Sequence, residues 1–245
     1  MKRLFAVTLM AAAFALPTAR SNAQDAKKNA VLTPVSNQND KNWIDRHTKL
    51  LEIASKGDVD VLFLGDSITE RWANNSAWKK SFAPLKAANF GIGGDRIEHL
   101  LWRITEGKEL EGITPKVAVL LIGANNFHLD ATVISDGVKS IVVELRKAKP
   151  QMKVLLLGVF PRGPRKPIDP TKVAPEDQTK TKAINAGIAK LADGKNVFFM
   201  DIGAKFLDSD GNLSKENMPD FLHLSAKGYD IWAHSIEGTV KELLK

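Results

Sequence analysis

No cysteine occurs anywhere in this chain of 245 residues. Disulfides are therefore excluded, a lipidated cysteine cannot tether the chain to a membrane, and an exported domain has to be held together by its core alone. A dense basic block is also missing. Lys and Arg number 35 against 28 acidic residues, and the excess is scattered along the chain. That is ordinary surface solubility, not the electrostatic footprint of a nucleic-acid-binding protein. There is no internal repeat, and no compositional bias toward disorder, collagen or a coiled coil. What is present is 44% hydrophobic residues, enough for one large core, and α/β chains of this length commonly form a single domain.

The amino terminus reads as an address. Lys2 and Arg3 precede an apolar run from Leu4 to Leu16, and Ser21-Asn22-Ala23 supplies small residues at a cleavage site. This is the layout of a secretory signal over residues 1–23, with an apolar run too short to span a bilayer comfortably. The expectation is a secreted or periplasmic protein with no integral membrane segment in its mature form. Loss of Lys2, Arg3 and Arg20 with the signal leaves 32 of the 35 basic residues against 28 acidic ones. Residues 24–39, rich in Gln, Asn, Lys and Ser, read as a flexible lead-in, and residues 40–245 as the single domain.

Within that domain, Val61-Leu62-Phe63-Leu64 runs straight into Gly65-Asp66-Ser67. A short continuous apolar run bounded by a turn signal predicts a buried strand of a parallel sheet. Ser67 then lies just beyond its carboxyl end, where open α/β sheets place their ligand crevices. By itself the tripeptide is equally a strand-ending turn in which Asp66 or Ser67 caps the next helix.

Upstream, the spacing of Trp43, Ile44, His47, Leu50, Leu51 and Ala54 predicts one face of a helix, with His47 packed on it or capping. Further strands are expected at 87–90, 117–122, 154–160 and 197–200. Helices are expected around Ile97–Ile104, over 131–147 and 176–192, and at the carboxyl end, and His99 falls off its helix's apolar stripe and is expected to face solvent. The alternation predicts an α/β fold, a three-layer α/β/α sandwich around a five-stranded parallel sheet. The glycine- and proline-containing connection over 161–175 is long and is expected to border a substrate cleft.

Chemistry-bearing residues follow the strand ends. The cluster Gly91-Ile92-Gly93-Gly94-Asp95 is not a dinucleotide fingerprint, because Arg96 stands where the third glycine of G-x-G-x-x-G belongs. Such glycines make a tight turn or let a backbone N–H approach a ligand. Gly123-Ala124-Asn125-Asn126 follows the third strand, where an Asx turn is the plain reading. Asp220 and His223 lie three apart, before the last helix.

A serine nucleophile needs a base, and the base a group that holds its tautomer. His223 is the candidate base for Ser67, and Asp220 its orienting partner. An oxyanion needs donors, for which the backbone N–H groups of Ser67 and Gly94 and the Asn125 amide are the candidates. His99, His128 and His234 lack metal-ligand spacing, and no metal or cofactor is expected. G-x-S-x-G is absent, because Gly65-Asp66-Ser67-Ile68-Thr69 lacks the second glycine.

These four blocks, Gly65-Asp66-Ser67, Asn89 to Asp95, Gly123 to Asn126 and Asp220-Phe221-Leu222-His223, resemble those of the SGNH (GDSL-type) hydrolases. Within that superfamily the chain is most similar to the catalytic subunits of platelet-activating factor acetylhydrolase, over roughly residues 40–245. The similarity includes Leu101-Trp102-Arg103, Pro161-Arg162-Gly163 and His223-Leu224-Ser225.

The resemblance implies a flavodoxin-like fold and cofactor-free hydrolysis of a small acyl ester. Ser67 would be the nucleophile, His223 the base and Asp220 its partner, with Gly94 and Asn125 completing the oxyanion hole. The signal and the helix leading into the domain differ from the cytosolic animal enzymes, and the signal favours acetylated carbohydrate as substrate over a phospholipid-type ester of the acetylhydrolase or lysophospholipase kind. An acyltransferase and a non-catalytic binding module on the same fold are the other readings, and a homodimer is left open.

Overall fold

The computed structural model describes residues 19–163 and 175–245. Its sheet is wholly parallel and consists of β1 (Val61–Gly65), β2 (Ala87–Gly91), β3 (Val117–Leu121), β4 (Lys153–Leu157) and β5 (Val197–Met200). The spatial order is β2-β1-β3-β4-β5. The order reverses between β1 and β3, the switch point at which a doubly wound sheet opens a crevice beyond its strand ends. Gly65 pairs with Gly91 on one side and Leu121 on the other. The segments that follow β1, β2 and β3 therefore start side by side. The expected three-layer sandwich around five parallel strands is the architecture found.

Both sheet faces are covered, which is why the strands read as unbroken apolar runs. Along β1, Leu62 and Leu64 enter one core and Val61 and Phe63 the other. The first core is closed by α1 (Ala19–Leu32), α2 (Lys41–Ser55), α5 (Ile97–Ile104), α6 (Ala131–Ala148) and α7 (Pro175–Ala189). The second is closed by α3 (Ser67–Glu70), α4 (Ser76–Ser81) and α8 (Ala226–Leu243).

An aromatic stack ties the turn after α3 to α8. Trp72 lies parallel to Trp232 at 4.1 Å between ring centroids and to Tyr229 at 5.7 Å, while Phe63 meets Trp78 edge-on at 4.8 Å. Each such pair adds about 0.5–1.5 kcal/mol beyond its buried area. The Tyr229 hydroxyl also donates to the Ile68 carbonyl at 2.8 Å. The segment after Ser67 and the helix after His223 are thereby locked together.

Three readings are corrected. Residues 24–32 of the expected flexible lead-in belong to α1, which runs to Leu32 and is docked on the body. Among its described side chains the buried anchor is Val31, seated against α6 where Gly137 has no side chain: a Cβ there would come within 2.6 Å of Val31. Lys28 pairs with Asp136 at 2.7 Å, and the Val35 amide donates to the Glu98 carbonyl. The apolar run of the expected signal lies outside the described residues, and Ser21-Asn22-Ala23 fall within α1.

Second, β4 ends at Leu157 rather than Phe160. The Asn185 side chain takes over both the amide and the carbonyl of Val159, so the chain leaves the sheet there. Third, His99 is buried rather than solvent-facing. It sits edge-on to Trp43 of α2 at 6.5 Å, a contact that no local pattern contains. Of the long 161–175 connection, residues 164–174 lie outside the described residues.

Candidate active site

Ser67 is the first residue of α3, immediately after β1. Asp66 caps this helix by accepting from the Ile68 amide at 2.9 Å, so the capping reading of Gly65-Asp66-Ser67 holds for Asp66 and leaves the serine hydroxyl available. Gly65 admits no side chain, because a Cβ would come within 2.4 Å of the Leu121 carbonyl of β3. The close approach sets Ser67 beside the chain leaving β3.

The structure brings Ser67, His223 and Asp220 together across 156 residues of sequence. Ser67 Oγ lies 2.9 Å from His223 Nε2, and His223 Nδ1 lies 2.6 Å from Asp220 Oδ2. The other carboxylate oxygen accepts from the His223 amide at 2.7 Å and the Leu222 amide at 3.1 Å. Partial burial pushes the Asp220 carboxyl up. The hydrogen bonds from the His223 ring and amide, that residue's charge and the Leu222 amide outweigh it, and hold the carboxyl below its ordinary range. An ionised carboxylate at Nδ1 requires the proton on that nitrogen, which leaves Nε2 as an acceptor for the serine hydroxyl. His47 pairs instead with Glu109 at 2.7 Å, a packed histidine as expected.

Beside Ser67 runs the turn after β2. A Cβ on Gly93 would lie 3.9 Å from Ser67 Cβ, and the Gly93 amide donates to Glu70 Oε2 at 2.7 Å. Gly94, at φ +77°, turns the chain in the left-handed region with open space around its α-carbon. Among the described residues, neither the Ser67 nor the Gly94 amide meets an acceptor. Asn125 follows β3 and donates one amide hydrogen to the Asp95 carbonyl at 2.8 Å, which leaves its second hydrogen free.

Asn126 points the other way. It is fully buried, accepts from the Ile97 amide at 2.9 Å and donates to Glu98 at 2.9 Å. Of the two asparagines, Asn125 turns toward the Asp95 carbonyl beside Gly94, and its neighbour caps α5.

Glu70, Arg162, Gly163 and Arg103 support the site in roles that the sequence motifs left unassigned. Glu70 occupies the Gly93 amide. Arg162 donates to the Ala124 carbonyl at 2.9 Å, and Gly163 to the Phe221 carbonyl at 2.8 Å, so this short segment joins the chain before Asn125 to the loop carrying His223. Arg103 is wholly buried against Asp95 and Glu109. It had a signal: a charge inside the apolar stripe of Leu100, Leu101 and Ile104, where only a paired charge is tolerated.

Burial also pushes the Asp66 carboxyl up, from 3.8 to about 7. The folded group keeps its proton to about pH 7, whereas the unfolded one releases it near 3.8. Its contribution to stability is therefore greatest below pH 3.8 and is lost as the pH rises through 7. Asp66→Asn keeps an acceptor for the Ile68 amide without the buried charge. Urea unfolding is expected to find this variant more stable than the parent by about 2–4 kcal/mol at pH 8, and within about 1 kcal/mol of it at pH 4. A pH-independent difference would remove the charge as the cause.

Residues 63–231 match the family model described as GDSL-like lipase/acylhydrolase. Platelet-activating factor acetylhydrolase IB subunit alpha2 of Rattus norvegicus is 36% identical over 208 residues, covering 85% of this chain and 87% of that protein. The Homo sapiens protein of the same name is 35% identical over the same span, with the same coverage. Among solved structures, a GDSL-like lipase from Bacteroides thetaiotaomicron superposes with a TM-score of 0.65 at 21% identity, over 82% of this chain and 98% of that one. A carbohydrate acetylesterase from Sinorhizobium meliloti gives 0.56 at 19% identity, over 76% and 99%. These last two are likenesses of fold. Taken with the model match and the relatives above 30% identity, they mean that this chain belongs to the GDSL-like lipase/acylhydrolase family, the esterases and acylhydrolases built on this fold.

Proposed function

We propose that the protein is an exported serine esterase that removes acetyl or similarly short acyl groups, with acetylated carbohydrate as its substrate class. The observation that carries the chemistry is the unbroken relay from Ser67 Oγ to His223 Nε2 at 2.9 Å and from His223 Nδ1 to Asp220 at 2.6 Å. Ser67 attacks the acyl carbon as its proton passes to His223. The resulting oxyanion lies toward the amides of Ser67 and Gly94 and the free hydrogen of the Asn125 amide. His223 then protonates the departing alcohol. Water, deprotonated by the same ring, releases the acid and restores the serine.

The acetyl preference is supported by the name acetylhydrolase borne by the relatives at 35–36% identity. The carbohydrate assignment is motivated by the signal-like residues 1–23. The relatives' name also favours a second reading, in which the alcohol is phospholipid-like. Acetate release from acetylated oligosaccharides and from a 2-acetyl glycerophospholipid separates the two. Faster release from the oligosaccharide is expected, while rapid turnover of the lipid without release from the sugar would install the second reading. Failure to cleave either, or even p-nitrophenyl acetate, would favour a binding module.

A further inference from the structure

We propose that Arg103 is a positioning residue for ester cleavage, the buried tie that holds the end of β1 and the turn after β2 in one fixed arrangement. The proposal rests on the roles given above to Ser67, Gly94 and Asn125. Arg103 projects from α5 with no solvent exposure. Its guanidinium grips Asp95 Oδ2 through Nε at 2.8 Å and Nη2 at 2.7 Å, and Nη2 also reaches the Gly65 carbonyl at 3.3 Å. Nη1 pairs with Glu109, whose other oxygen meets His47. Asp95 is held from its far side as well, by the Trp43 indole N–H at 2.6 Å.

The positions of these contacts carry the argument. Gly65 is two residues before the nucleophile, and Asp95 directly follows Gly94. The backbone carbonyl of Asp95 is what holds the Asn125 amide, at 2.8 Å. One guanidinium thus touches, directly or through one residue, every element that supplies a group to the reacting centre except the His223 loop. Stability alone is a poor reason for such a network, since a buried ion pair is commonly no better than apolar packing of the same volume. Fixed geometry is a better one, because displacement of a reacting group by about 1 Å costs about 100-fold in rate. The planar fork suits this task where an ammonium does not.

Arg103→Lys keeps the charge, so neither carboxylate is left unpaired, but it loses the fork. With p-nitrophenyl acetate, kcat is expected to fall about 10- to 100-fold, with KM within about threefold and a single cooperative thermal transition retained. Trp43→Phe removes the far-side donor to Asp95 while keeping an aromatic ring against His47, His99 and Trp102, and is expected to lower kcat about 3- to 10-fold, giving a second test should Arg103→Lys fail to fold. His47→Phe weakens the far end of the network, at Glu109, and is expected to lower thermal stability while kcat stays within about twofold.

Near-parental kcat in Arg103→Lys, or in Trp43→Phe where the former does not fold, overturns the proposal. So does a kcat loss in His47→Phe as large as in either, since that would track stability rather than position. Ser67→Ala is run alongside. If it stays active, the reading of the site fails first. If it is dead while Arg103→Lys is unaffected, only the present proposal fails.

Discussion

Ser67→Ala is expected to lower kcat/KM for p-nitrophenyl acetate by about four to six orders of magnitude, and His223→Ala by a similar factor. The double variant should be no slower than either single one. The reason is that the hydroxyl and the imidazole act as one unit. Without the base at 2.9 Å the serine is a poor nucleophile, and without the serine the base has no proton to take. Additive losses in the double variant would mean that the two side chains act separately. Survival of activity in Ser67→Ala would place the reaction elsewhere.

Asp220→Asn should cost less, by a factor of about 100 relative to the serine variant. Part of the reason is exposure: the Asp220 side chain is 53% exposed, so water partly replaces the lost acceptor at Nδ1.

The second large effect is at Asn125. Removing one oxyanion donor costs about 100- to 1,000-fold in kcat when the donor is aimed at charge that develops only in the transition state. Asn125→Ala is expected to fall in that range with little change in KM, because the neutral ester in the ground state makes weaker use of the donor.

Asn126→Ala is the matched contrast. Its side chain satisfies the first amide of α5 and the buried Glu98 carboxylate. Its loss leaves the Ile97 amide unpaired and Glu98 held by Arg96 alone, and should cost about 1–3 kcal/mol in chemical denaturation, with kcat nearly unchanged in the protein that remains folded. If the two variants exchanged phenotypes, the donor would have been assigned to the wrong asparagine.

Much of this was legible beforehand because it is local. The strand at Val61–Gly65 shows itself as an apolar run, and its continuity reflects burial on both faces. The breaks after β1, β2 and β3 show themselves as Gly-Asp-Ser, the glycine cluster and Gly-Ala-Asn-Asn, since a chain leaving a sheet at a crevice needs turn-formers and exposes whatever side chains it carries. α1 was not legible, because the contacts described for it, Val31 facing Gly137 and Lys28 pairing with Asp136, lie far along the chain. His99 was placed on the wrong side for the same reason. Helical periodicity describes one helix against one core, and His99 is covered by Trp43 of another helix instead.

The sequence by itself determined the class of fold, the order of strands and helices, and the short list of candidate groups for acyl transfer: Ser67, Gly94, Asn125, Asp220 and His223. Periodicity, turn chemistry and side-chain reactivity are properties of short stretches and can be read without coordinates. Tertiary structure decided which of those groups meet. It set the 2.9 Å and 2.6 Å contacts of the relay across the sheet edge, sent Asn125 toward Asp95 and Asn126 toward α5, and buried Arg103 where it reaches both Gly65 and Asp95. Those outcomes depend on strand register and on packing between segments far apart in the chain, and neither is encoded in any single stretch of it.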